Sequence, residues 1–239
     1  MTNEIMLIAS LIVVYGMVLL WFALLGERGL CGWTVFAAIA ANIEVMILIE
    51  AFGMQQTLGN VMFASTFLTT DILSEVYGKK AANRAVNIGI ITSLSFIVIS
   101  QTWLLFTPSV DDVLAPSIHA VFSNTPRFML VGFLVYAIVQ RLDVWLYHML
   151  WQLTEKRSGR RKFLWLRNNA STLISQMLNT VLFTFGAFWG VYDMQTMLSI
   201  MVASYIIFII TSLADTPIVY LARVIHEKRK APGIRAEAE

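Results

Sequence analysis

The chain has 239 residues, of which 58% are hydrophobic and 13% charged, and its mean hydropathy is +0.71. An ordinary soluble domain carries about 25% charged residues, so this chain has too few to cover a water-facing surface, and lipid is its expected solvent. The composition argues against a nucleic-acid binder and a doubly wound nucleotide enzyme. The net charge of +2 decides little, because in a membrane protein the placement of Lys and Arg outweighs their sum.

A helix needs ~20 apolar residues to cross ~30 Å of hydrocarbon. Taken in order, runs of that kind predict seven spans, at 5–25, 30–52, 58–77, 85–107, 127–151, 169–192 and 196–222. The expected fold class is therefore all-α, a polytopic bundle of about seven transmembrane helices in a single transmembrane domain over 1–239. It divides into an additional N-terminal span at 5–25, a core at 30–222 and a basic cytoplasmic tail at 223–239. The opening MTNEIMLIAS has no basic residue ahead of its apolar run and no small-residue cleavage site, so it is read as a span rather than a removable signal. Cys31 is the lone cysteine. It excludes a disulfide framework and an all-cysteine metal site.

The third span is the weakest by hydropathy, since it holds Asn60, Ser65, Thr66, Thr69, Thr70, Asp71, Ser74 and Glu75. Charge placement supports it. Arg28, then Lys79, Lys80 and Arg84, then the cluster from Lys156 to Arg167, then the tail from Arg223 to Arg235, all fall in alternate connections. By the positive-inside rule this predicts a cytoplasmic tail and, with seven spans, an external N-terminus. The loop around Asp111 and Asp112 then faces outward, with a short surface helix expected over Val113 to Asn124 and an irregular tail from Glu227.

Ionisable groups inside a bilayer cost ~2.5–3.5 kcal/mol each on insertion scales and persist where a cavity or partner satisfies them. Here they comprise Glu44 and Glu50 on the second span, with Asn42 nearby, Asp71 and Glu75 on the third, Arg141 and Asp143 on the fifth and Asp215 on the seventh. Asp71 and Glu75, four apart, share a helix face. Arg141 is the one basic group expected deep in a span, and an ion pair with Asp143, Asp71 or Glu75 is the purely structural alternative. One arginine does not neutralise the whole set. On the sixth span Asn168, Thr172, Ser175, Gln176 and Asn179 follow the helical period and form one polar stripe, which serves either as glue between helices or as the wall of a solvated cavity. Asp71, Asp143 and Asp215 recur at intervals of 72 residues, as a three-fold repeat of a helical hairpin would place them. No phosphate-binding glycine loop or zinc-protease motif occurs, and His119, His148 and His226 lie far apart, so neither a metal nor a cofactor is expected.

Four blocks carry a resemblance: TLGNVMFASTFLTTDILSEVYGKKAA, TPRFMLVGFLVYAIVQRLDVWLYHML, FLWLRNNASTLISQMLNTVLF and ADTPIVYL. In order and spacing, from about Trp33 to Leu221, they resemble the queuosine precursor transporter family, also called the vitamin uptake transporter family. The resemblance implies a bacterial inner-membrane importer of 7-cyano-7-deazaguanine or its aminomethyl relative for tRNA modification. Its marked positions fall here on Asp71, Glu75, Tyr77 and Gly78; on Arg127, Gln140 and Asp143; on Trp165, Arg167, Asn168, Ser171, Thr172 and Gln176; and on Asp215, Thr216 and Pro217. The chain departs from it at Asn179, where many members carry Asp, and at Ile47, where relatives carry Lys.

A guanine-like base presents adjacent N–H donors beside a carbonyl. A carboxylate accepts the donors, an amide or Arg donates to the carbonyl, and aromatic faces sandwich the ring. The expected binding set is Asn42, Glu44, Phe67, Asp71, Glu75, Arg141, Asp143, Trp165, Asn168, Thr172, Gln176, Asn179 and Asp215. The expected partners are this deazapurine and the bilayer, with a second copy of the chain as a further candidate and no nucleic acid. Two other functions compete. One is an intramembrane aspartyl protease using two of Asp71, Asp143 and Asp215, although no Gly-x-Gly-Asp pattern accompanies them. The other is a substrate-capture subunit driven by a separate ATPase.

Overall fold

The computed structural model describes residues 2–123, 126–158 and 163–236. Eight helices and one hairpin follow in order: α1 (Asn3–Leu25), α2 (Glu27–Glu44), β1 (Leu48–Ala51), β2 (Met54–Thr57), α3 (Asn60–Val76), α4 (Lys79–Trp103), α5 (Ala115–Ser123), α6 (Pro126–Ser158), α7 (Leu164–Phe188) and α8 (Met194–Ala236). The all-α expectation holds. The seven long helices correspond to the seven expected spans, and α5 is the short helix expected after Asp112.

The second span is the main departure. Its helix stops at Glu44, and the apolar run that continues it turns back as an antiparallel hairpin pairing Leu48 with Thr57 and Ala51 with Met54. Phe52 and Gly53 both have positive φ, 52° and 69°, the backbone of a two-residue type I′ connection. Glu50 is therefore an exposed strand residue and not part of a helical span. Two other boundaries move. α7 begins at Leu164, which brings Arg167 into the helix, and α8 continues to Ala236 where an irregular tail was expected. Arg160, Arg161 and Lys162 lie outside the described residues, as do Asn124 and residues 237–239.

Four helices are long and apolar enough to cross a membrane by length and composition, namely α1, α4, α6 and α8. The others are shorter or more polar, and the packing accounts for two of them. α3 is the central post: fourteen of its 17 residues are buried, and it packs against α1, α2, α4, α6 and α8. α7 lies between α6 and α8. The polarity is inverted relative to a water-soluble core. Buried positions include Ser65, Thr69, Asp71, Gln140, Asp143, Ser171 and Asp215, whereas Ile12, Leu24, Ile91, Val98, Ile138 and Ile210 stand outside. Such an exterior is stable only against an apolar solvent.

The helix ends sort into two groups. At one end Arg84 pairs with Glu27 at 2.7 Å, Tyr77 packs edge-on to His226, and Arg229 Nη1 donates to the Phe22 carbonyl at 3.3 Å. At the other, Asn3 Nδ2 donates to the Glu50 carbonyl at 2.7 Å, and Arg127 caps the end of α7 by donating to the carbonyls of Gly186 and Trp189 at 3.0 and 2.7 Å. A cation at those orphan carbonyls is favourable. Among the described residues, the helix ends that flank the basic connections gather at the first end, as the charge alternation predicts.

Candidate functional site

Along the bundle axis, the interior of this end-to-end frame divides into three levels. The first is a cavity in the half that carries the hairpin and Arg127. It contains about 760 Å³ of empty space, its open mouth included. Its walls come from the last turns of α2 (Ala38, Ala41, Asn42), from Thr57 and Gly59, from the first turns of α3 and α6 (Asn60, Phe63, Thr66, Gly132, Tyr136), and from α7 and α8 (Asn179, Thr180, Phe183, Thr184, Phe188, Ser204, Phe208). Phe63 is its aromatic hub, with ring centroids 6.1 Å from Tyr136 and 6.2 Å from Phe208. The Tyr136 hydroxyl is buried and without a hydrogen-bond partner. Its ring reaches the wall because residue 89 on α4 is glycine: a Cβ there would lie 2.0 Å from the Tyr136 hydroxyl oxygen.

The second level lies ~8–12 Å nearer the basic end, from the rise of 1.5 Å per residue between Phe63 or Thr66 and Asp71. A bridge separates the two: Gln140 Nε2 donates to Thr66 Oγ1 at 2.6 Å, and Thr70 Oγ1 donates to Gln140 Oε1 at 3.3 Å. Beyond it Asp71 on α3, Asp143 on α6 and Asp215 on α8 are all but sealed from solvent, at 1%, 0% and 1% exposure, and lie within electrostatic reach of one another. The 72-residue interval thus becomes a spatial cluster, with one acid each from α3, α6 and α8, which all run toward the basic end. Thr172 Oγ1 donates to Asp71 Oδ2 at 3.3 Å, and Ser171 and Ser175 flank Asp143. The Asp143 oxygens have only the hydroxyls of Ser171 and Ser175 beside them, outside good hydrogen-bond geometry, and one oxygen each of Asp71 and Asp215 and both polar atoms of Asn168 and of Gln176 have no hydrogen-bond partner. Buried polar groups are normally paired, so this level is a site short of partners.

The third level, one turn further, is closed. Glu75 Oε2 accepts from Arg167 Nη2 at 2.5 Å and from the Tyr147 hydroxyl at 2.8 Å, and Glu75 Oε1 lies 3.5 Å from Arg223 Nη1. The Arg167 guanidinium also sits 4.3 Å from the ring centroid of Trp151. α3, α6, α7 and α8 are thereby tied together at the basic end.

Of the residues expected at the site, Asn42 and Asn179 line the cavity, and Asp71, Asp143, Asn168, Thr172, Gln176 and Asp215 form the acid level. Phe67 is buried one layer behind the cavity wall, its ring 5.4 Å from Phe63. Glu75 is committed to the ion-pair network. Three do not join. Arg141 is exposed and reaches Asn87 Oδ1 at 3.3 Å; Trp165 is 54% exposed; Glu44 is the last residue of α2, half-buried and not among the cavity walls. The basic partner expected in Arg141 is Arg167, 1% exposed. The sequence placed Arg167 in a loop because no apolar run begins before residue 169. Also missed were the aromatic wall of Phe63, Phe183, Phe188 and Phe208, which composition does not distinguish from lipid contacts, and Asn169, which donates to Thr216 Oγ1 at 2.6 Å and fixes α7 to α8.

A polytopic helical membrane protein with a polar interior open at one end and latched at the other is the architecture of a solute carrier. Residues 57–222 match the family described as "Putative vitamin uptake transporter". Over 206 residues the chain is 36% identical to the "Probable queuosine precursor transporter" of Bacillus subtilis (strain 168), covering 86% of this chain and 88% of that one. Over 152 residues it is 30% identical to the "Queuosine precursor transporter" of Escherichia coli (strain K12), covering 63% of each. No solved structure matches significantly. The chain belongs to the vitamin uptake transporter family, a family of membrane transporters rather than enzymes.

Proposed function

We propose that this protein is an inner-membrane importer of a queuosine precursor, 7-cyano-7-deazaguanine or its 7-aminomethyl relative. The observation that carries the proposal is an aromatic and amide cavity with a level of buried carboxylates directly below it, parted from it only by the Gln140 bridge to Thr66 and Thr70. The flat ring stacks among Phe63, Phe183 and Phe208. Its pairing edge points toward Asp71, which accepts the ring N–H and the 2-amino group, while Gln176 or Asn168 donates to the carbonyl. Asn42, Asn60 and Asn179 surround the substituent at the 7-position. The mouth beside the hairpin faces outward and the Glu75 network faces the cytoplasm, so the N-terminus is external and the form described is open to the outside.

Binding of four compounds to purified protein tests the carboxylate grip: both precursors, guanine, and an analogue lacking the 2-amino group. The precursors are expected to bind. The analogue lacking the amino group leaves a buried charged acceptor without its donor, which costs ~1–3 kcal/mol, or about tenfold to a hundredfold in affinity. Equal affinity for that analogue removes the grip from the proposal, and no binding of either precursor removes the substrate.

A further inference from the structure

We infer that Asp71, Asp143 and Asp215 form a proton site that couples entry of the ligand to entry of protons. The inference rests on the importer reading and adds its source of energy. Three carboxyls on three helices share one buried level, and like charges at such a site oppose one another's ionisation. Among the described residues no basic side chain acts on them. The charged residues of α2 and α4 (Glu27, Arg28 and Glu44; Lys79, Lys80 and Arg84) lie in the terminal turns of those helices. From α1 the cluster is met by Tyr15 beside Asp215. From α3 and α6 it is met by Glu75 and Tyr147. Of the cations on the helices that carry the cluster or pack beside it, Arg167 on α7 and Arg223 on α8 are engaged by Glu75, and Arg141, two residues before Asp143 on α6, is exposed and reaches Asn87 on α4. His148 on α6 lies toward Lys79 and Arg167.

Among the described residues no three His, Cys, Asp or Glu side chains are arranged to hold a metal ion, and the proton is the neutralising species assigned to the cluster. A second observation points the same way. Asn168 and Gln176, both 0% exposed, carry unpartnered acceptors as well as unpartnered donors, on the face of α7 that presents Thr172 to Asp71. An ionised carboxylate only accepts, whereas a protonated one also donates. Protonation of the cluster supplies the donors that these amide oxygens lack, and the ligand carbonyl supplies an acceptor for their N–H groups. The acids lie between the open cavity and the closed Glu75 network. Each alternation of the two ends that releases the ligand therefore also exposes the acids to the other side, where they release the proton taken up with it.

Purified protein in liposomes with a pH-sensitive dye in the lumen, the membrane potential clamped, tests this. External 7-cyano-7-deazaguanine is expected to acidify the lumen as it enters. With one proton per ligand, an inward gradient of one pH unit raises its accumulated level about tenfold over equal pH. Asp143→Asn and Asp215→Asn are each expected to abolish the acidification. Uptake by the unaltered protein with no acidification and the same plateau at equal pH overturns the coupling alone, and that result needs no variant to fold. Acidification that persists in Asp71→Asn, Asp143→Asn and Asp215→Asn overturns the assignment to these residues. If neither precursor binds or enters, the substrate proposal and this inference fall together.

Discussion

Two carboxylates one turn apart have opposite fates in this bundle, and single substitutions separate them. Asp71 retains an unpartnered oxygen in the acid level, whereas Glu75 holds Arg167, Tyr147 and Arg223. Asp71→Asn is expected to lower uptake at least tenfold, from the loss of a charge-assisted contact, with little change in thermal stability. Glu75→Ala leaves a buried guanidinium without its carboxylate and is expected to cost about 3–5 kcal/mol of stability. Thermal unfolding in detergent and uptake by the same preparations check both, and the reverse ranking would contradict the geometry. The sequence made both acids conspicuous because their cost in lipid is readable residue by residue. It did not tell them apart, because pairing depends on Arg167 arriving from a helix 92 residues away. The exposed Arg141 stood out for the same reason as the acids, and only its side of the helix distinguishes it.

Among the elements, α1, α4, α6 and α8 were the most legible, because crossing a bilayer demands a long apolar run. The hairpin was not. A run such as VMILIEAF satisfies either a helix or a strand, and the decision is made by the positive-φ pair at Phe52 and Gly53. Caps were also invisible to hydropathy. Asp193 sits just before α8 and accepts from the backbone N–H groups of Gln195 and Thr196 at 3.0 and 3.2 Å and from the Thr196 hydroxyl, an N-cap that satisfies orphan donors of the first turn. The Thr196 hydroxyl, then its N–H, hold the exposed Asp193 carboxyl below the usual carboxylate range. A depressed value in the folded form means that the cap stabilises above the unfolded value near pH 3.9 and is lost as pH falls through the lower folded value. Amide exchange at Gln195 and Thr196 is expected to accelerate as pH is lowered from about 4, beyond the intrinsic pH dependence of exchange, and Asp193→Ala is expected to show the accelerated rate at neutral pH. Protection unchanged in the Ala variant would show that the cap contributes nothing.

For the whole molecule, the decisive sequence signal was the alternation of basic connections, and the contacts agree: Glu27, Arg84, Arg167, Arg223 and Arg229 meet at one end, while Glu4, the hairpin and Arg127 occupy the other. Reporter fusions after Gly26, Lys80 and Lys230 are expected to report cytoplasm, and a fusion near Asp112 the exterior. A cytoplasmic signal at Asp112 would invert the proposed direction of the mouth. What the linear pattern withheld was the vertical order of cavity, acids and latch, since that order depends on how far each helix slides along its neighbours. The first and last helices add a condition in time rather than in space. The Tyr15 hydroxyl meets the Thr211 carbonyl at a sequence separation of 196, and Arg229 reaches the Phe22 carbonyl at one of 207. As synthesis delivers α1 first and α8 last, a nascent chain carries Asp71 and Asp143 into the bilayer before Asp215 and Arg223 exist to complete their levels.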